Sequence, residues 1–299
     1  MTQRQPLRSD GEELQELLDE LQREHGIKEI SGWDTGFANL NRALDGFLPG
    51  LYLLIGPPAC GKTSFATQLF DQVVMQNSMP GIFFSFAERK KELRIKTLAR
   101  LSAVENRDIR RGSAYLLHWY GMPKRSAETA ELPPGWEKLK KTAEEARHWL
   151  DLIYLIECGR ETNPQQIDEQ ICEVGRIKNN DRVMVVVDDS QRLGPSDQPI
   201  SNRLAPIAEQ LQGIAVSRKI PILTVWPELG EEPKASSQAW ADKAPGADVI
   251  LVMENDLDRT KKLTEPNQAI NLHIVKNRAG EKGKLALDFF PAFSKFVEA

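Results

Sequence analysis

The sequence predicts an α/β fold: a mostly parallel, twisted sheet flanked by helices, with a C-terminal β-hairpin and a short helix ahead of it. Two observations carry that expectation. Apolar runs recur along the chain and are continuous rather than alternating, the pattern of strands covered on both faces. One of them, Leu51–Ile55, passes directly into Gly56-Pro57-Pro58-Ala59-Cys60-Gly61-Lys62-Thr63 and then into a helical stretch, so strand, glycine-rich loop and helix follow without interruption.

The elements follow in order. Leu14, Leu17, Leu18 and Leu21 repeat at helical spacing among acidic and amide residues, which predicts an amphipathic helix over roughly residues 11–25 ended by Gly26. It either packs on its own domain or serves as an arm for a neighbouring subunit. After Leu51–Ile55, Ser64–Met75 reads as a helix, Gly81–Phe86 as a strand and Lys90–Leu101 as a charged helix. Asp151–Ile156, Arg182–Val187, Ile220–Trp226 and Asp248–Met253 supply further strands. Ala269–Val275 and Leu285–Phe290, separated by the turn-rich Asn277–Lys284, read as an antiparallel hairpin at the sheet edge. Residues 113–135 break the pattern, with Tyr115, Trp119 and Tyr120 followed by Pro123, Pro133 and Pro134, and read as an insertion. Its aromatics either pack or stack on bases. The chain thus divides into an N-terminal arm and linker helix, 1–29, and a single domain, 30–299.

Bulk properties exclude several classes. The longest apolar runs, such as Val183–Val187, are far too short to cross a bilayer, so no membrane partner is expected. The opening Thr2-Gln3-Arg4-Gln5 does not resemble a secretion signal. Three scattered cysteines, Cys60, Cys158 and Cys172, suggest reduced thiols in a cytoplasmic protein. The net charge of −4 means that any nucleic-acid binding must use a local basic surface. His25, His118, His148 and His273 have no ligand spacing to one another, and Lys138–Lys141 reads as a solvated helix face.

The glycine-rich loop carries the most specific chemistry. Its glycines let successive N–H groups face phosphate oxygens, Lys62 reaches the β- and γ-phosphates, and the Thr63 hydroxyl coordinates magnesium. Gly56, Pro57, Pro58, Ala59, Cys60, Gly61, Lys62, Thr63 and Ser64 are therefore the candidate nucleotide-binding residues, with ATP and Mg2+ as cofactors. Val183–Val187 ends in Asp188-Asp189; a carboxylate at that strand tip can hold the magnesium shell, Asp188 first and Asp189 as the alternative. Glu88 is the carboxylate near the tip of Gly81–Phe86 and the candidate to orient an attacking water. Lys276 and Arg278, at i and i+2 past an apolar strand, either form a solvated turn or clamp phosphates of a neighbouring site.

Taken together these pieces resemble the ATPase domain of RecA-like ring proteins, most closely replicative DNA helicases of the DnaB type, over roughly residues 14–298. Gly32-Trp33-Asp34-Thr35-Gly36-Phe37 through Gly50 resembles that family's entry into its phosphate loop. Glu92–Ser102 resembles its helix after the second strand, Asp188-Asp189-Ser190-Gln191 its Asp-Tyr-Leu-Gln signature, and Ala247-Asp248-Val249-Ile250 its Ala-Asp-Val-Ile strand. The resemblance implies a RecA-like phosphate-loop fold with Gln191 between nucleotide and DNA loops, and Lys276 and Arg278 acting in trans. It also implies a homo-oligomeric, hexameric ring on single-stranded DNA, replication or repair partners, and a linker helix docked on the next protomer. DNA contacts would come from Arg192–Asn202 and Glu228–Ser237, with Arg192, Arg203 and Lys234 as the few cations in reach.

The chain departs from the family at several points. No counterpart of the family's N-terminal domain is expected within it. Pro57 stands where an arginine is frequent, Ala87 where the catalytic glutamate belongs, with Glu88 one place late, and Trp226-Pro227-Glu228 where Ser-Gln-Leu is usual. These leave room for a weakly hydrolysing nucleotide-binding regulator or assembly factor, or for a KaiC-like or recombinase-like ATPase of the same fold.

Overall fold

The computed structural model describes residues 30–110, 135–194, 202–227 and 242–299, with isolated positions between 9 and 22 and at 199 and 240. The 113–135 insertion, apart from Gly135, and most of the two expected DNA loops, with Lys234, lie outside the described residues. In the N-terminal segment, positions 11, 14–16, 18, 19 and 22 are helical and exposed. Leu14 and Leu18 are 52% and 50% exposed, so neither packs on the core of its own chain.

The chain enters the domain through a tight clasp. Trp33 and Phe47 form an isolated antiparallel bridge, and a Cβ on Gly32 would come within 2.7 Å of the Gly46 and Phe47 backbone. Helix α1 (Ala38–Leu44) follows. Phe37 at its N-cap offers no side-chain acceptor; instead the Glu298 carboxylate, from the far end of the sequence, accepts from the Asn39 and Leu40 N–H groups at 2.8 and 3.2 Å. Those are orphan donors of the first turn, so Glu298 acts as a distant cap.

Strand β1 (Gly50–Gly56) is buried along its whole length and leads through the glycine-rich loop into α2 (Lys62–Asn77). Next come β2 (Gly81–Ser85), α3 (Lys90–Ser102), α4 (Trp136–Leu150), β3 (Ile153–Glu157), α5 (Pro164–Lys178) and β4 (Met184–Asp188). A 3-10 turn at Ser190–Arg192, α6 (Leu204–Arg218), β5 (Pro221–Pro227) and β6 (Val249–Asn255) follow. The chain closes with α7 (Leu257–Thr260), β7 (Gln268–Asn277), β8 (Gly283–Phe290) and β9 (Lys295–Glu298).

The nine strands form one sheet in the order β3-β2-β4-β5-β1-β6-β7-β8-β9. Pairings from β3 through β6 are parallel; β7, β8 and β9 are antiparallel to their neighbours. The expected β7–β8 hairpin is present but is not the edge. A short strand, β9, pairs with β8 and takes that place. Its four residues, Lys-Phe-Val-Glu, are too short and too mixed to stand out as an apolar run.

What secures β9 is side-chain chemistry from α2. The Gln68 amide donates to the Phe296 carbonyl at 2.9 Å and accepts from its N–H at 2.7 Å, mimicking a strand partner. Phe296 also stacks on Phe289 with ring centroids 4.3 Å apart and meets Phe65 of α2 edge-on. Helices α2, α3 and α4 pack on one another as one layer, and α5 packs on α6 in the other. With β1, β2, β4 and β5 buried between them, the carboxyl ends of these strands converge on one edge, where ligand sites of open α/β sheets form.

Candidate functional site: the phosphate loop and the strand tips around it

The site begins where the chain leaves β1. A Cβ on Gly56 would meet Cys60 Sγ and Met253 Cβ at 3.0 Å, so the loop lies tight against β6. Cys60 is wholly buried while Pro58 and Ala59 are exposed; the thiol fills the loop from beneath. Ala59 (φ 62°) and Gly61 (φ 88°) both adopt left-handed backbone and curl the chain into the helix. Gly61 is the N-cap of the 16-residue α2, so the N–H groups of Lys62, Thr63 and Ser64 lie in the first turn, whose donors have no intrahelical acceptor. Together with the helix dipole they suit an anion.

Lys62 folds over this loop and donates from Nζ to the Gly56 and Pro57 carbonyls, both at 2.7 Å. Thr63 Oγ1 donates to Asp188 Oδ2 at 3.0 Å. Asp188 ends β4, is 2% exposed, and has its carboxyl pushed up to about 6, chiefly by burial. The Thr63 hydrogen bond opposes that rise, the negative charges of Glu88 and Asp189 add to it, and the positive charge of Lys96 offsets it. A hydroxyl and a carboxylate short of positive charge are the hard oxygen donors that magnesium takes, with phosphate oxygens and water completing its shell. The residues present therefore fit the cation. Asp189 is turned elsewhere: it adopts left-handed backbone (φ 62°) and pairs with Arg192 Nε at 2.6 Å.

Glu88 reaches the site through a locked turn. The Ser85 hydroxyl donates to the Glu88 carbonyl at 2.7 Å and accepts from its N–H at 3.0 Å, folding the chain back over the tip of β2. Ser85 pairs in register with Asp188, so this turn sits beside the magnesium candidate. Glu88 Oε1 is ion-paired with Lys96 of α3, which is 9% exposed; Oε2 is buried with no hydrogen-bond partner among the described residues. Ala87, the residue before Glu88, is exposed. Gln191 lies on the 3-10 turn after β4, and its Oε1 is likewise buried without a partner among the described residues.

Lys276 and Arg278 are elsewhere. The end of β7 pairs with the start of β6, and β6 runs parallel to β1, so both cations belong to the edge where β1 begins. By register Lys276 lies level with Leu53 of β1 and Arg278 near Leu51, so about 10 and 17 Å of strand and two strand spacings separate their backbones from Gly56 of the same chain. Lys276 donates to the Pro245 carbonyl at 3.0 Å, and Arg278 pairs with Asp248 at 2.7 Å while its side chain stays 61% exposed. Burial and the charge of Arg278 lower the Lys276 pKa, with Asp248 partly offsetting them. Of the expected DNA-loop cations, Arg192 donates to the Phe86 carbonyl at 3.2 Å, and Arg203 donates to the Leu193 and Gly194 carbonyls at 2.6 and 3.1 Å.

Thus Lys62 and Thr63 of the loop Gly56–Ser64 come together with Asp188, with Glu88 at the adjoining strand tip and Gln191 on the turn after β4, while Lys276 and Arg278 do not join them. Lys96 and Ser85 were not legible as site residues. A signal for Lys96 exists: it falls on the α3 face that also buries Leu93, Thr97 and Ala99, a position where an unpaired lysine is costly.

A parallel sheet whose central strand runs through such a loop into a helix defines the phosphate-loop nucleotide-binding class. The sequence pattern of the DnaB-like helicase C terminal domain matches residues 32–227, and the chain belongs to that family. Replicative DNA helicase DnaB of Treponema pallidum is 22% identical over 279 residues, covering 90% of this chain and 56% of the relative. Replicative DNA helicase DnaC of Bacillus subtilis is 23% identical over 303 residues, covering 95% and 60%. The chain therefore spans little more than half the length of these curated relatives. Among solved structures, one described as an ATPase domain aligns with a TM-score of 0.75 at 20% identity, over 98% of this chain and all of that one. A DnaB-like replicative helicase, described with its interactions with primase, aligns at 0.76 and 20% identity, over 97% and 68%. The fold is shared with both.

Proposed function

We propose that this protein binds ATP with magnesium and hydrolyses it between protomers of a homo-oligomeric ring that acts on single-stranded DNA. The observation that carries the reading is the Thr63–Asp188 hydrogen bond, 3.0 Å long, at the mouth of a loop held by Lys62. Lys62 and the α2 N-terminus would hold the phosphates, Thr63 and Asp188 the magnesium, and Glu88 would orient the attacking water. Bound magnesium would neutralise charge developing on the transferred phosphoryl group. Lys276 and Arg278 stand two strands to the side of β1 and are engaged with the Pro245 carbonyl and Asp248, away from the phosphate loop of their own chain, which supports a role at the site of a neighbour. The exposed leucines of the N-terminal helix support a contact between protomers, and the relatives' names support DNA as the substrate.

A second reading, a nucleotide-dependent assembly factor with slow turnover, is favoured by Ala87 at the glutamate position and by the internal engagement of Arg192 and Arg203. ATP turnover measured with and without single-stranded DNA separates the two. The first expects stimulation by DNA; absence of both DNA binding and stimulation rejects it. Mixing Arg278→Ala with Lys62→Ala chains tests the shared site. Recovered activity at intermediate ratios is expected, and none at any ratio rejects trans action.

A further inference from the structure

The Glu88 carboxylate is divided between two roles by its surroundings. Oε1 is held by the Lys96 ammonium, an ion pair whose side chains are 11% and 27% exposed for Lys96 and Glu88. Oε2 is buried and accepts no hydrogen bond from the described residues. The backbone beneath is held by the two Ser85 hydrogen bonds. Ser85 pairs in register with Asp188, so the turn that carries Glu88 stands at the tip of β4. A buried ion pair of this kind adds little stability over apolar packing, so what it contributes is position.

We infer that Lys96 is a positioning residue for hydrolysis: by holding Oε1 it fixes Glu88 over the β2 tip and leaves Oε2 as the acceptor for the attacking water. The inference rests on the ATPase reading above. It explains how a glutamate displaced by one residue, beside Ala87, still serves the site. The Ser85 turn brings its backbone back, and Lys96 sets the orientation of the carboxylate.

The test uses the full chain with saturating magnesium, and kcat and KM for ATP in wild type, Lys96→Met, Lys96→Arg, Glu88→Gln and the Glu88→Gln/Lys96→Met double variant. Lys96→Met is expected to lower kcat about 100-fold, the scale of a misplaced catalytic group, with KM within about threefold of wild type. Lys96→Arg is expected to recover activity to within about tenfold of wild type, since a cation is restored. In the Glu88→Gln background, Lys96→Met is expected to change kcat less than about twofold, because a residue acting through Glu88 has nothing left to position. If Lys96→Met does not fold by thermal melting, Lys96→Gln takes its place in the same cycle. Wild-type activity in Lys96→Met, or penalties that multiply in the double variant, overturn the inference alone. A wild-type chain that binds ATP and never turns it over overturns the ATPase reading and this inference together.

Discussion

Gly61→Ala offers the sharpest test of how the loop is built. Gly61 sits at φ 88°, where an L-residue costs about 1–2 kcal/mol. A Cβ there would also lie 2.9 Å from ring atoms of both Phe289 and Phe296. Those rings are 5% and 1% exposed and stacked on each other, so they have nowhere to retreat; overpacking of this kind costs about 1–3 kcal/mol. The sum, about 2–5 kcal/mol, corresponds to a fall in Tm of about 3–8 °C for a chain of this size. Ala59, in the same loop and also left-handed at φ 62°, is exposed. Ala59→Gly should therefore gain about 0.5 kcal/mol, the strain relieved less the entropy glycine loses on folding. Thermal melts of both variants decide the matter, and Phe289→Leu in the Gly61→Ala background should recover some of the packing loss, since the Phe296 contact stays, and none of the backbone part. A Gly61→Ala protein melting within about 1 °C of wild type would refute the argument.

Three further outcomes are expected. Because burial raises the Asp188 carboxyl to about 6 from an ordinary 3.8, the folded state holds this proton more tightly than the unfolded chain. Its contribution is present below pH ~4 and lost as pH rises through ~6, amounting to about 3 kcal/mol. In magnesium-free buffer, Asp188→Asn should remove that decline and stabilise the protein at pH ~8 while abolishing magnesium-dependent nucleotide binding; an unchanged pH dependence of urea unfolding would contradict it. Asp71 is buried, ion-paired with Arg100 and bonded to Thr97 at 2.7 Å, and burial works against both charges. Asp71→Ala should cost about 3–5 kcal/mol in denaturant unfolding, since Arg100 would be left buried without its counter-ion. Glu298→Ala should cost about 1 kcal/mol through loss of the α1 cap, and a loss below ~0.3 kcal/mol would show the cap to be idle.

Much of this was legible because it is local. A continuous apolar run must be a strand buried on both faces, and a glycine-rich loop between strand and helix must curl its N–H groups outward; neither depends on the rest of the chain. Hence β1, the loop residues Gly56–Ser64, Asp188 at the end of its strand, and the β7–β8 hairpin could be read directly. The one-residue displacement at Ala87-Glu88 was legible too, but its consequence was not.

What only the tertiary structure decided are pairings across long sequence separations. Thr63 and Asp188 meet because β4 lies two places from β1 in the sheet, and strand order is a property of the whole chain. That Asp188 faces Thr63 while Asp189 turns to Arg192 depends on a left-handed residue after β4, and the separation of Lys276 and Arg278 from the loop depends on the direction of β7. Strand β9, capping α1 through Glu298 and clasped by Gln68, is held by contacts between opposite ends of the sequence, which no local pattern announces. The amino-acid sequence by itself determined which groups could bind a nucleotide. The fold decided which of them meet, because only packing brings the Ser85 turn, Lys96 and Glu88 to the same strand tip.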